Sequence, residues 1–264
     1  MKEFVDVTLL AVLQGVAEFL PISSSGHLVI LQHLLDVPEG LRMRLEVFLH
    51  AGTLLSIFAF YWRRLALLAA GAFGAAGAAA RKAAWSFAAR LLLSTLPAIA
   101  LYFTCHREID ALVTNARLVG GLLMLTGVVL LGTRFLPRGS RGVDYLKALI
   151  MGVAQAFALL PGVSRSGMTL AAARAGRVSS ESAAEFSFLM SAPLILGGVV
   201  LEIAKGEIGT GGMSWGVLLW GTALSAVVGY FSLALLLKAL KGPWFWLFGP
   251  YCLLAGLCTV LFCR

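Results

Sequence analysis

Charge is what this chain is shortest of. Only 13% of its 264 residues are Asp, Glu, Lys or Arg, about half the share of an ordinary soluble domain. With 59% hydrophobic residues and a mean hydropathy of +0.90, that shortage excludes a water-exposed globular fold. Cysteine is sparse as well: Cys105, Cys252, Cys258 and Cys263 fall singly, in or beside apolar stretches and without CxxC spacing. That argues against a zinc site or disulfide framework and for buried thiols. The N-terminus has Lys2, Glu3 and Asp6 before its first apolar run, a poor match to a secretory leader, and is expected to be retained. The net charge of +8 could suggest nucleic acid, but the cations follow the apolar stretches, so no nucleic-acid partner is expected.

What the chain has is long hydrophobic runs. Six can cross a bilayer, at about 45–61, 90–103 with flanks, 118–136, 183–203, 215–237 and 244–262. The segments 4–35 and 146–176 differ, because Pro, Gly and Ser split each into two apolar pieces too short to span. They read as re-entrant helical hairpins, tolerated only where buried in protein or lining a wet cavity. The expected fold is an all-α polytopic membrane protein forming one integral domain over 1–264, with a linker at about 137–145. The Ala- and Gly-rich run from Leu65 to Ala84 is expected to be a surface-lying or short internal helix.

Placing residues 62–90 inside makes the remaining loops alternate. The inner loops then hold thirteen cations, among them Arg63, Arg64, Arg81, Lys82 and Arg90, against three acids, Asp144, Glu181 and Glu185. The outer loops hold seven, Lys2, Arg42, Arg44, Arg107, Arg117, Lys205 and Arg264, against nine acids. A shift of 141 residues superposes Gln14 on Gln155, Ser23 on Ser164, Ser25 on Ser166 and Gly26 on Gly167. Each half, about 1–136 and 146–264, is then a hairpin plus three spans. Three being odd, the second half is inverted, and the hairpins meet near the midplane, where inverted repeats place binding sites.

The two breaks carry the chemistry. Gln14 and Glu18 share a helix face one turn apart, and Pro21 ends that helix. Ser23, Ser24 and Ser25 can cap the next helical piece, whose free N–H groups attract anions. In the second break Pro161 and Gly162 turn the chain, Ser164 or Ser166 caps the piece carrying Thr169, and Arg165 adds a planar fork suited to phosphate oxygens. Ser23, Ser25, Ser164, Arg165, Ser166 and Thr169 are therefore candidate oxyanion contacts. Ser24 is the candidate nucleophile, with Glu18 and His27 to move protons. Glu18 and Gln14 make a thin metal shell, so any Mg²⁺ or Ca²⁺ would rely on substrate oxygens and water. His33, His50 and His106 read as incidental, and Trp62, Trp244 and Trp246 as interface-belt residues.

Gln14 to Glu18 followed by Phe19 to His27, and Pro161 to Thr169, resemble the (E/Q)xxxE–FLPxSSxGH and PGxSRSxxT motifs of the undecaprenyl-pyrophosphate phosphatase family, the bacitracin-resistance membrane proteins. The likeness extends to Phe60–Arg64 and Glu185–Leu189. It implies hydrolysis of a C55 polyprenyl diphosphate to the monophosphate carrier used in peptidoglycan synthesis, with Mg²⁺ or Ca²⁺ as cofactor. The implied roles are Glu18 as essential acid, Ser24 as nucleophile, His27 as base or activator, and Arg165 with Ser164 and Thr169 as phosphate binders. Gln14 stands where many relatives have Glu. The implied location is the bacterial cytoplasmic (inner) membrane, with the active site facing the periplasm. A flippase of polyprenyl phosphate using the same anion site is the alternative of a different class. Apolar helix faces suit lipid or a homodimer equally.

Overall fold

The computed structural model describes residues 1–74, 77–113, 115–204 and 212–262. Lys205, Arg264 and Cys263 lie outside the described residues. Eleven α-helices are described: α1 Lys2–Ala17, α2 Ser24–Leu34, α3 Glu39–Phe60, α4 Trp62–Ala72, α5 Gly77–Val113, α6 Ala116–Gly132, α7 Tyr145–Phe157, α8 Arg165–Ala175, α9 Ser180–Ala204, α10 Trp215–Lys241 and α11 Phe248–Phe262. Six are long and apolar enough to cross a membrane, over Glu39–Phe60, Gly77–Ile109, Ala116–Phe135, Ser180–Glu202, Trp215–Lys241 and Phe245–Phe262. They coincide with the six expected stretches, and the chain is an all-α polytopic membrane protein. The second span begins earlier than its hydropathy suggests. Its Ala-rich lead-in, with no side-chain entropy to lose, continues the helix, while α4 folds back so that Gly71 packs against Ala80 and Ala84.

The two broken segments are helix pairs as expected. At 16 and 11 residues, α1 and α2 are each shorter than the roughly 20 residues a span needs, as are α7 and α8 at 13 and 11. Among the long helices, α6 and α11 pack most intimately. A Cβ on Gly120 would sit 2.8 Å from the Gly256 carbonyl, and one on Gly249 2.9 Å from that of Gly127. Small residues permit this approach where no hydrophobic driving force separates helix from lipid. Elsewhere α1 lies along α10 as α7 lies along α5, and α3 meets α9.

The cations assigned to the inner side gather at one end of the bundle. Arg64 pairs with Glu185 at 2.8 Å, Arg90 donates to the Val143 carbonyl, Arg174 to that of Leu136, and Lys241 lies 3.4 Å from Glu181. The linker is tied there by the Arg141 and Val178 bridge. Of the described cysteines only Cys252 is buried. Cys105 is half-buried and Cys258 exposed on the bundle's outer face, so burial does not describe all of them: an apolar position in a span can face lipid as readily as protein.

Candidate active site

The two turns cross at the centre of the bundle. Ser23 caps α2 by accepting the Gly26 N–H at 3.3 Å, and Ser164 caps α8 by accepting that of Gly167 at 3.1 Å. Gly26 lies so near Gly162 that a Cβ there would be 3.1 Å from the Gly162 Cα. Polar side chains pin the turns. Ser166 Oγ donates to the Leu20 carbonyl at 3.2 Å, while Thr126 Oγ1 donates to the Gly162 carbonyl at 3.1 Å and accepts from the Ser164 N–H at 3.0 Å.

This packing delivers four side chains to one carboxylate. Glu18, just past the end of α1 and 8% exposed, accepts the Ser24 hydroxyl on Oε2 at 2.7 Å and the Gln14 amide on the same oxygen at 3.1 Å. Arg165, the first residue of α8, donates to Oε1 through one terminal nitrogen. His50 on α3 brings Nε2 to 3.6 Å from Oε2, and its Nδ1 lies 2.7 Å from the Glu46 carbonyl. A carboxylate this deep needs such partners, because an unpaired buried charge is strongly destabilising. A hydroxyl on a carboxylate oxygen beside a guanidinium is the minimum for nucleophilic displacement at phosphorus.

The cluster walls a cavity of about 220 Å³ that also touches Ser23, Ser25, Gln155, Ser164 and Ser191. A second cavity of about 540 Å³, mostly apolar, shares His50, Leu159, Leu194 and Ile195 with it. It runs to Met43, Tyr102 and Glu202.

Residues 7–258 match the family described as bacitracin resistance protein BacA. The chain belongs to the BacA family. Its relatives include proteins named undecaprenyl-diphosphatase from three organisms. That of Rhodopirellula baltica is 37% identical over 99% of this chain and 98% of its own length. That of Pelotomaculum thermopropionicum is 36% identical over 96% and 94%, and that of Salinibacter ruber 36% over 95% and 96%.

Not every motif residue of this BacA-family chain reaches the cavity. Glu18, Ser23, Ser24, Ser25, Ser164 and Arg165 line it. His27 does not: its Nδ1 lies 2.8 Å from the Ser23 carbonyl, and its Nε2 2.8 Å from the Tyr251 hydroxyl, the two rings stacked. Both nitrogens are engaged away from Ser24, and the imidazole beside the carboxylate is that of His50, which reads as incidental in the sequence. Thr169 is also directed elsewhere, bonded to Ser187 Oγ at 2.6 Å and tying α8 to α9. Ser166 holds the first turn. An ionisable residue inside an apolar span is a functional signal by default, and that signal, applied to position 50, would have found His50.

The protein donors here are too few to hold a divalent cation without oxygens from substrate or water. Among the described residues Glu18 is the one carboxylate lining this cavity, its Oε1 is held by a guanidinium, and no cluster of three or more His, Cys, Asp or Glu could hold a metal.

Proposed function

We propose that the chain hydrolyses undecaprenyl diphosphate to undecaprenyl phosphate and inorganic phosphate, returning the C55 carrier lipid to peptidoglycan synthesis. The observation that carries this reading is the Ser24 hydroxyl donating to Glu18 Oε2 at 2.7 Å beside Arg165. Ser24 Oγ attacks the terminal phosphorus as its proton passes to Glu18. The bond from that phosphorus to the bridging oxygen breaks, and Glu18 gives the proton to the departing prenyl phosphate. Water then attacks the phosphoserine, losing a proton to Glu18, which returns it to Ser24 as inorganic phosphate leaves. Arg165 holds Glu18 with one nitrogen, while its Nη1 is buried without a partner, free for a phosphate oxygen. The Mg²⁺ or Ca²⁺ implied by the resemblance would be a companion of the diphosphate, held by its oxygens and water, with Glu18 and Gln14 the protein oxygens available to it.

The enzyme sits in the bacterial inner membrane with its site open to the periplasm. In support, the larger cavity runs from His50 toward Met43 and Tyr102, at the end that the charge count puts outside. The matching pairs α1 with α10 and α7 with α5 support inverted halves, with hairpins entering from opposite faces. The transport alternative gains nothing from the relatives, whose name is that of a hydrolase.

Phosphate release from undecaprenyl diphosphate by the detergent-purified protein tests the reading, with Mg²⁺, Ca²⁺ or chelator. Wild type should turn over, and Ser24→Ala and Glu18→Gln should lose at least about 10³-fold. In the same assay His50→Asn should lose more kcat than His27→Asn. Turnover retained by Ser24→Ala would remove the nucleophile, and a well-folded wild type without phosphate release would remove hydrolysis.

A further inference from the structure

Among the described residues, four have buried side-chain polar atoms with no hydrogen-bond partner: Gln14 Oε1, Tyr61 Oη, Arg165 Nη1, and both Nε2 and Oε1 of Gln155. Gln155 and Arg165 line the polar cavity, and Gln14 bonds the Glu18 that does. Unmet polar atoms are thus concentrated where the proposed reaction takes place. Gln155 is the extreme case. It is 1% exposed, it lies in the last turn of α7, and neither end of its amide is satisfied. A buried amide left this way destabilises the fold relative to an apolar side chain of the same shape, so packing alone does not account for it.

The comparison with Gln14 explains why its partner is missing. The two glutamines correspond under the 141-residue shift. Gln14 donates to Glu18 four residues on, whereas the residue four after Gln155 is Leu159, whose side chain has no acceptor. The nearby second turn also presents the α8 N-terminus, whose N–H groups favour an oxyanion, together with Arg165 and its unpartnered Nη1.

We propose that Gln155 is a substrate-binding residue, its side-chain amide donating to a non-bridging oxygen of the diphosphate that Arg165 Nη1 also contacts. This rests on the hydrolase reading for its substrate and deepens it, adding an amide from the second half outside the PGxSRSxxT segment. Neutral donors of this kind fix the orientation of a tetrahedral anion without altering the charge at the site.

The test uses full-length protein in detergent with Gln155→Met, which keeps length and flexibility, and Gln155→Ala as a second variant. Two readouts are taken: KM and kcat for undecaprenyl diphosphate, and the rise in melting temperature produced by inorganic pyrophosphate. Gln155→Met should melt no lower than wild type without ligand, because it removes two unmet polar atoms. It should raise KM about tenfold, the size expected for one hydrogen bond to a charged group, and lose most of the protection by pyrophosphate. Gln155→Ala should repeat the KM effect even if it melts lower. Wild-type KM and protection in both variants would overturn the assignment, as would a lower melting temperature in Gln155→Met with KM unchanged, which marks a packing role. A wild type protected by pyrophosphate but unable to hydrolyse the lipid, with protection lost in Gln155→Met, would retain this contact and remove the hydrolase reading instead.

Discussion

The two turns at the centre of the bundle are built alike and equipped differently. Each has a serine cap bonded to a glycine N–H three residues on, and a second serine hydroxyl near the cap, at 3.4 Å for Ser23 and Ser25 and 3.3 Å for Ser164 and Ser166. Under the 141-residue shift Ser24 corresponds to Arg165, both first residues of their helices, and both reach the same carboxylate, one on each oxygen. Glu18 has no acidic counterpart, since position 159 is Leu. One scaffold used twice therefore yields two donors facing each other across a single acceptor, and the acceptor's asymmetry divides the labour: the first turn holds the proposed nucleophile and base, the second the permanent cation.

Arg165→Lys breaks that division most severely among changes that keep the charge. A lysine ammonium is a point charge without the planar fork, so it cannot span Glu18 and a phosphate oxygen in the arrangement seen for Nη1 and Nη2. Loss of one such oriented donor costs on the order of 10²- to 10³-fold in kcat. Normal hydrolysis by Arg165→Lys would show that charge, not fork geometry, is what the second turn supplies.

Backbone, not side chain, is the target of the next change. Gly162 has φ +97, and a Cβ there would lie 2.3 Å from the Val119 carbonyl of α6. Gly162→Ala combines a left-handed conformation that costs about 1–2 kcal/mol in a non-glycine residue with a contact that backbone atoms must move to relieve. We expect a melting temperature several degrees lower and loss of activity with it. An alanine variant that melts like wild type would mean that the second turn is looser than its contacts with Thr126 imply.

The layout of these turns was legible in the sequence, and the direction of individual side chains was not. Pro21, Pro161 and the serine clusters announce both breaks because proline and small hydroxyl residues act locally, through φ and through caps. His27 lies three residues after Ser24, and Thr169 four after Arg165, so spacing alone put both near the chemistry. Their destinations, Tyr251 on α11 and Ser187 on α9, are set by how other helices pack against α2 and α8. The position of His50 has the same cause in reverse: 32 residues from Glu18, it reaches the carboxylate only because α3 packs beside α1. Gln155 was visible as the repeat mate of Gln14, but its unmet amide depends on what surrounds it in three dimensions.

The smallest expected effect lies at the other turn and is the most informative about strain. Ser23 adopts φ 70 and ψ 97, whereas its counterpart Ser164 has φ −77 and ψ 118; the positive φ costs a side-chain-bearing residue on the order of 1–3 kcal/mol. Ser23→Gly relieves that cost, loses only a few tenths of a kcal/mol of capping, and adds about 0.5–1 kcal/mol of chain entropy to be lost on folding. The balance lies between about zero and a gain of about 2 kcal/mol, so the melting temperature should stay level or rise by a few degrees. Activity should behave differently. Ser23 fixes the direction in which α2 begins, and hence the line from Ser24 Oγ to Glu18 Oε2. A freer backbone there spreads the hydroxyl over more orientations, and small misplacements of a reacting group are expensive in rate. We expect kcat to fall by about three- to tenfold with no loss of stability. Full activity would make the strain incidental to turning the chain. A large fall in melting temperature would mean that the Ser23 hydroxyl, holding Gly26 at the crossing with Gly162, contributes more to the fold than its cap alone suggests.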